Sequence, residues 1–187
     1  MTYARAALAG LVLLAVAACS GGDPADGEPT TTGTPSASPS PTPTLAPPTI
    51  PPEASDWGAE GAAAFVEYWY AAQRYSAVTG DVSVLTDVTD PECRGCAELA
   101  ENYSAIHQAG GYYEDLPWSP TVTASVAERD YFAVLVDVDS PRYRYRKVSD
   151  GPFYVVKAQR RKHLIRVRSA GDGWRVLLLS NQDSERS

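Results

Sequence analysis

Cys93 and Cys96, with Arg94-Gly95 between them, are the residues of this chain best placed by type and spacing to do chemistry. Two sulfurs three positions apart can close a disulfide, cycle as a redox dithiol, or supply half of a metal site. An expected place in the first turn of a helix adds a second effect, because the helix dipole and free N–H groups favour thiolate there. The redox reading lacks a βαβ unit leading into the motif. Tetrahedral zinc needs two more ligands, and the chain has only two histidines, His107 and His163. His107 is far along the helix from Cys96, and His163 stands among the bases of Arg160-Arg161-Lys162, read as a solvated face or turn. No metal and no cofactor are therefore expected. Asp137 and Asp139 could project from a strand end into a cavity, although acids there more often face water. No Ser/His/Asp spacing, phosphate-binding glycine loop or dinucleotide fingerprint is present, so the reading is non-enzymatic.

The elements that must position these residues are legible from periodicity. Phe65, Tyr68, Trp69, Ala72 and Tyr75 fall on one helical face, and Gly80 supplies the stop. Asp81 can cap a short helix or turn through Leu85. Asp90-Pro91-Glu92 predicts the start of a third helix, which turns Cys96, Leu99, Ala100, Tyr103 and Ile106 inward and stops at Gly110-Gly111. Beyond it the period becomes alternating. Strands are predicted around 121–126, 131–138, 142–146, 155–156, 163–168 and 174–179, with Asp172-Gly173 at a hairpin turn. Helices first and antiparallel strands after give an α+β domain, a curved sheet wrapped against a long helix, over residues 56–187.

Ahead of that domain the composition changes twice. Residues 20–55 hold no Lys or Arg, and Thr30 to Thr44 is Pro/Ser/Thr low complexity. Such a segment cannot bury enough surface to offset its ordering entropy, so 19–55 is expected to be a disordered linker. At about 3.1 Å per residue in polyproline II form it could reach roughly 100 Å. Its hydroxyls leave open a glycosylated stalk beside a plain spacer. Before it, Leu11 to Ala18 is an apolar run of secretory length, too short to span a bilayer. Val16-Ala17-Ala18-Cys19, followed by Ser20 and Gly21-Gly22, resembles the lipobox of bacterial lipoproteins. The resemblance implies cleavage of a signal peptide, residues 1–18, and a diacylglycerol on Cys19. The protein would then be held on the outer face of the cytoplasmic membrane with its domain in the cell-wall space. It also leaves Cys93 and Cys96 as an even remainder outside the cytoplasm, expected to be oxidised as a structural disulfide.

Two surfaces are candidate binding sites. Trp69, Tyr112, Tyr113, Trp118, Tyr131 and Trp174 could line a pocket for a small hydrophobic or glycan ligand, or simply fill the core. The second is basic. Between Arg142 and Arg168 there are ten basic residues and one acid, Asp150, in a chain with 16 Lys+Arg and 23 Asp+Glu overall. Arg142, Arg144 and Arg146 share one strand face, and Arg160, Arg161 and Lys162 follow. This surface could meet anionic lipid or a cell-wall polymer; alternatively it guards a sheet edge or neutralises the domain's own acids. Nucleic acid is not an expected partner in that compartment, and oligomeric state is not legible.

Gly61-x3-Phe65-Val66-x-Tyr68-Trp69, Tyr75-x3-Thr79-Gly80-Asp81, Cys93-x-x-Cys96 and Gly110-Gly111 together resemble a family of actinobacterial lipoproteins of unknown function. That family's domain is similar to the nuclear transport factor two cone, also called SnoaL-like or cystatin-like. The resemblance covers about residues 57–180 and implies three helices closing a strongly bent sheet, with no activity attached. The leading expectation is a membrane-anchored envelope lipoprotein with one binding or scaffold domain. A SnoaL-like pocket enzyme or small-ligand binder is the alternative, and a thiol–disulfide protein the third.

Overall fold

The computed structural model describes residues 45–183. The expected leader 1–18, Cys19 and residues 20–44 of the expected linker lie outside the described residues, as do 184–187. Helix α1 (Ala59–Thr79) buries Phe65, Tyr68, Trp69, Ala72 and Tyr75, the stripe the period predicts. Each large side chain removed from water there contributes about 1.5–3 kcal/mol. Gly80 ends the helix in the left-handed region at φ 80°, with its N–H donating to the Ser76 carbonyl. A Cβ at that position would stand 2.6 Å from Cγ of His107, so glycine is required there by conformation and by contact alike. Asp81 accepts hydrogen bonds from the N–H and hydroxyl of Ser83 and opens α2 (Ser83–Thr86). These bonds hold its carboxyl below the usual carboxylate range.

Helix α3 runs Arg94–Gln108, starting after the Asp90-Pro91-Glu92 signal. Asp90 makes a local bond there, accepting from the Glu92 N–H at 3.0 Å, and tertiary bonds beside it. The Asp90 N–H donates to the Val176 carbonyl, and its carboxylate accepts from Arg168 at 2.7 Å. The signal residues form a turn tied to the sheet, and Cys93 becomes the cap residue. Cys93 and Cys96 are joined by a disulfide with Cα atoms 5.3 Å apart, and both are buried.

The strands are β1 (Gly110–Tyr113), β2 (Ser119–Ala127), β3 (Phe132–Ser140), β4 (Tyr143–Val148), β5 (Phe153–Val156), β6 (Gln159–Ser169) and β7 (Trp174–Asn181). They pair antiparallel in the orders β2-β3-β6-β7 and β1-β4-β5. One register joins the two ladders. The offset that pairs Phe132 with Val167 and Ser140 with Gln159 also pairs Tyr143 with Val156 and Arg146 with Phe153. The chain from Phe132 to Ser169 is thus one long hairpin, bent where Pro141-Arg142 lies opposite Lys157-Ala158. The bend interrupts the hydrogen-bond ladder and turns the expected curved sheet into a four-stranded near half and a three-stranded far half. Val134, Val136, Val138, Ile165, Val167 and Val176 bury the inner face of the near half with α1. The domain is α+β, with helices preceding antiparallel strands.

Order also extends into the expected linker. Pro52–Ser55 forms a single 3-10 turn with Ala54 buried. The indole N–H of Trp174 donates to the Ala54 carbonyl at 2.7 Å, and the ring of Trp57 lies 5.3 Å from that of Trp174. Proline fixes the backbone for this turn, and burial of Ala54 with the indole bond holds it. Among the described residues no helix is long and apolar enough to cross a membrane.

Candidate functional site

On the outer face of the near half Arg160 and Lys162 are matched to acids, while Arg166 has no ion pair among the described residues and lies over the Tyr131 ring. Lys162 lies directly opposite Asp137 and Arg160 opposite Asp139, and each pair closes at 2.6 Å. These are cross-strand ion pairs on a solvated surface, worth about 0–1 kcal/mol each. They border an open groove of about 490 Å³ that also includes Thr121, Thr123 and Arg161. The two aspartates point to this outer surface, opposite the buried Val136 and Val138, so alternation sends them away from any interior cavity.

The far half treats its cations differently. On its outer face the guanidinium carbon of Arg146 lies 4.1 Å from the Phe153 ring centroid and 6.0 Å from that of Tyr112. Arg144 stands 4.4 Å from the same Phe153 centroid and pairs with Glu114, which keeps its guanidinium protonated even more firmly than usual. On the other face Lys147 lies 4.8 Å from the Tyr154 centroid. Such cation–ring contacts contribute about 0.5–1 kcal/mol at exposed sites and leave the charge available to solvent anions. Arg142, Arg146, Lys147 and Lys157 have no ion pair among the described residues. Beside them Tyr112, Val148, Tyr154 and Val155 are exposed. Alternation in β1, β4 and β5 puts Tyr112, Arg144, Arg146, Phe153 and Val155 on one face, a surface of rings and positive charge.

The six aromatics predicted to line a pocket are dispersed. Trp69 is fully buried against Tyr70, and Trp174 packs among Trp57, Phe65 and Phe132. Tyr113 is buried among Tyr103, Tyr143 and Tyr145, and burial pushes its hydroxyl pKa upward. Trp118 is half-buried beside Tyr70 and His163. Tyr131 lies 4.9 Å from the Arg166 guanidinium, and Tyr112 faces Phe153 on the outer sheet. No common wall brings these six together. Four serve packing inside the domain, and two face outward.

Both histidines have defined places. His107 Nε2 lies 2.8 Å from the Ala77 carbonyl, joining the end of α3 to the end of α1. His163, expected at a solvated face, is buried with Nδ1 2.7 Å from the Tyr70 hydroxyl. It shares strand parity with Ile165 and Val167, which drives it inward. Burial and the nearby Arg161 lower its pKa, while Asp183 opposes them. Arg161 shares that parity too, so the run Arg160-Arg161-Lys162 is split between faces. The sequence reading missed Phe153, Tyr154 and Glu114. Phe153 and Tyr154 could have been found by extending the Val155-Val156 strand backward to Pro152; for Glu114 there was no signal.

The geometry defines a small α+β domain, and comparison with known proteins places the chain. A model described as a family of unknown function, DUF6318, matches residues 32–178, and the chain belongs to that family. No curated protein matches it. Among solved structures, the intermembrane space region of the chloroplast protein ARC6 is similar, with a TM-score of 0.51 and 14% identity. That match covers 67% of this chain and 97% of the other, and it speaks to fold alone. A putative calcium/calmodulin dependent protein kinase II association domain from Xanthomonas campestris matches at a TM-score of 0.38 and 12% identity. It covers 74% of this chain and 94% of that one.

Proposed function

We propose that this chain is a bacterial envelope lipoprotein, anchored through Cys19, whose domain is a non-enzymatic module that binds an anionic cell-wall polymer. The observation that carries the reading is the gathering of cations and exposed rings on the outer face of the far half. On the near half, Arg160 and Lys162 are neutralised by acids directly across the strand. On the outer face of the far half Arg146 has no ion pair among the described residues and lies over the Phe153 and Tyr112 rings, and Arg142 and Lys157 are likewise without an ion pair there. A polymer that alternates sugar or polyol units with phosphate or carboxylate matches a face of rings and positive charge. The lipobox residues support the anchor, and the family match beginning at residue 32 takes in part of the Pro/Ser/Thr stretch. The non-enzymatic part rests on the commitments of the polar groups. His107 and His163 are engaged in internal hydrogen bonds, and the burial of the Cys93–Cys96 disulfide favours a structural over a redox pair.

The test is retention of the native chain, in detergent, on immobilised teichoic acid against neutral dextran. Retention on teichoic acid that fades between 0.1 and 1 M NaCl is expected, as the screening length falls from about 10 to about 3 Å. Equal retention on dextran, or none on either, sinks the polymer reading. Intact-mass spectrometry of the native material checks the anchor separately. It should show the chain beginning at Cys19 with a diacylglycerol adduct.

A further inference from the structure

A sheet has edges, and three of the four here are protected. The β7 edge is covered by the segment ahead of α3, through a Thr89–Val176 bridge and hydrogen bonds joining Val88 and Asp90 to Val176. The β2 edge carries Pro120 and an irregular register between Val122 and Ala124. Strand β1 lies against α1 and α3. Strand β5 packs on β4 and on no other element to a comparable extent. It has no bulge, and its sequence Phe-Tyr-Val-Val is strongly strand-forming. Tyr154 is 42% exposed and Val155 47%, on opposite faces of the strand. The only guards are at its ends, Pro152 and Lys157. Such an edge is a template for another strand.

We infer that β5 pairs antiparallel with β5 of a second copy of this chain, about a two-fold axis through Tyr154, joining two far halves into one six-stranded sheet. The occupant follows from self-complementarity. A two-fold antiparallel pair must match residues on the same face, as an isologous interface requires. With Tyr154 on the axis, Phe153 falls opposite the second copy's Val155, an aromatic–β-branched pair made twice. Lys157 falls opposite Gly151, one residue from Asp150 of the other copy, and no like charges oppose. The outer faces carrying Tyr112, Arg144, Arg146 and Phe153 then merge into one continuous surface. This inference is independent of the polymer reading, since it needs only the strand edge.

The test uses the full chain in detergent, with single cysteines and a charge substitution. Tyr154→Cys should form a disulfide-linked dimer under mild oxidation, because position 154 meets itself on the axis. Val148→Cys, exposed on β4 and off the axis, should stay monomeric. Val155→Lys should weaken self-association at least about tenfold by sedimentation, equivalent to about 1.4 kcal/mol, with an unchanged circular dichroism spectrum. A chain that sediments as a monomer at every concentration overturns the inference. So does cross-linking through Val148→Cys as readily as through Tyr154→Cys, or a dimer indifferent to Val155→Lys. An edge that takes up an unrelated extended peptide while remaining monomeric overturns it as well.

Discussion

The two halves of the bent sheet are built on the same two chain segments in the same register, yet they differ in what their side chains do. In the near half, the inner face is a packed layer of Val134, Val136, Ile165 and Val167, and on the outer face Arg160 and Lys162 are spent on Asp139 and Asp137. In the far half, Tyr113 and its neighbours pack on α3, while the outer face keeps cations on rings and apolar groups in water. Burial is concentrated before the bend, and the proposed recognition surface lies after it. Division of labour along one hairpin lets the exposed end change without disturbing the core.

The largest expected effect separates the halves by stability. Ile165→Ala, at a fully buried near-half position, should cost about 2–5 kcal/mol in urea unfolding. Val155→Ala, on the half-exposed far strand, should cost no more than about 0.5 kcal/mol. Comparable losses would erase the distinction. Next, replacing Cys93 and Cys96 together by Ser should lower stability by about 2 kcal/mol, the small value expected for so short a loop. Thermal melting with and without reductant reads this, and the parent chain alone should respond to the reductant.

Binding sharpens the contrast further. Arg146→Gln removes an unpaired cation, worth about 1 kcal/mol near an anionic surface, so teichoic acid affinity should fall roughly fivefold. Lys162→Gln removes a charge already matched by Asp137, and affinity should change less than about twofold. Equal losses would mean that overall charge, rather than the far face, does the binding.

The smallest effect is at His163 in the near half. His163 has a lowered pKa when folded, so well above its unfolded value of about 6.5 it is neutral in both states and contributes no pH dependence. Below that, the unfolded chain takes up a proton that the folded chain resists. Stability should therefore decline with falling pH, and level off once the folded pKa is passed. A His163→Gln variant should show a shallower decline in urea midpoint between pH 7.5 and 5.5.

Much of this architecture was readable from residue order, and the failures have local causes. The α1 stripe and strands β2, β3, β6 and β7 follow from periods of 3.6 and 2 over segments long enough to show them. Strand β1 was read as a helix stop, because Gly110-Gly111 carries the same signal for either. Gly111 is small for a different reason: a Cβ there would approach the Arg146 carbonyl oxygen to 2.4 Å. The α3 start lies three residues further on because Asp90 closes a turn onto Glu92 and Cys93 while its N–H and second carboxylate oxygen are tied to Val176 and Arg168. His163 was assigned by its charged neighbours, although its parity with Ile165 and Val167 pointed inward. For the site, the basic segment was visible as composition. Which of its cations meet acids and which meet rings depends on register across the bend, and no local pattern encodes that.

The turn at Pro52–Ser55 bears on mechanics. The chain enters the domain there, and Ala54 is clasped by the first residue of the last strand. Tension applied upstream of Pro52 therefore reaches Trp174 before it reaches the start of α1, and the load passes into a ring buried among Phe65, Phe132 and Trp57. Beginning and end of the fold share one knot, so a tug on the front is resisted by the back.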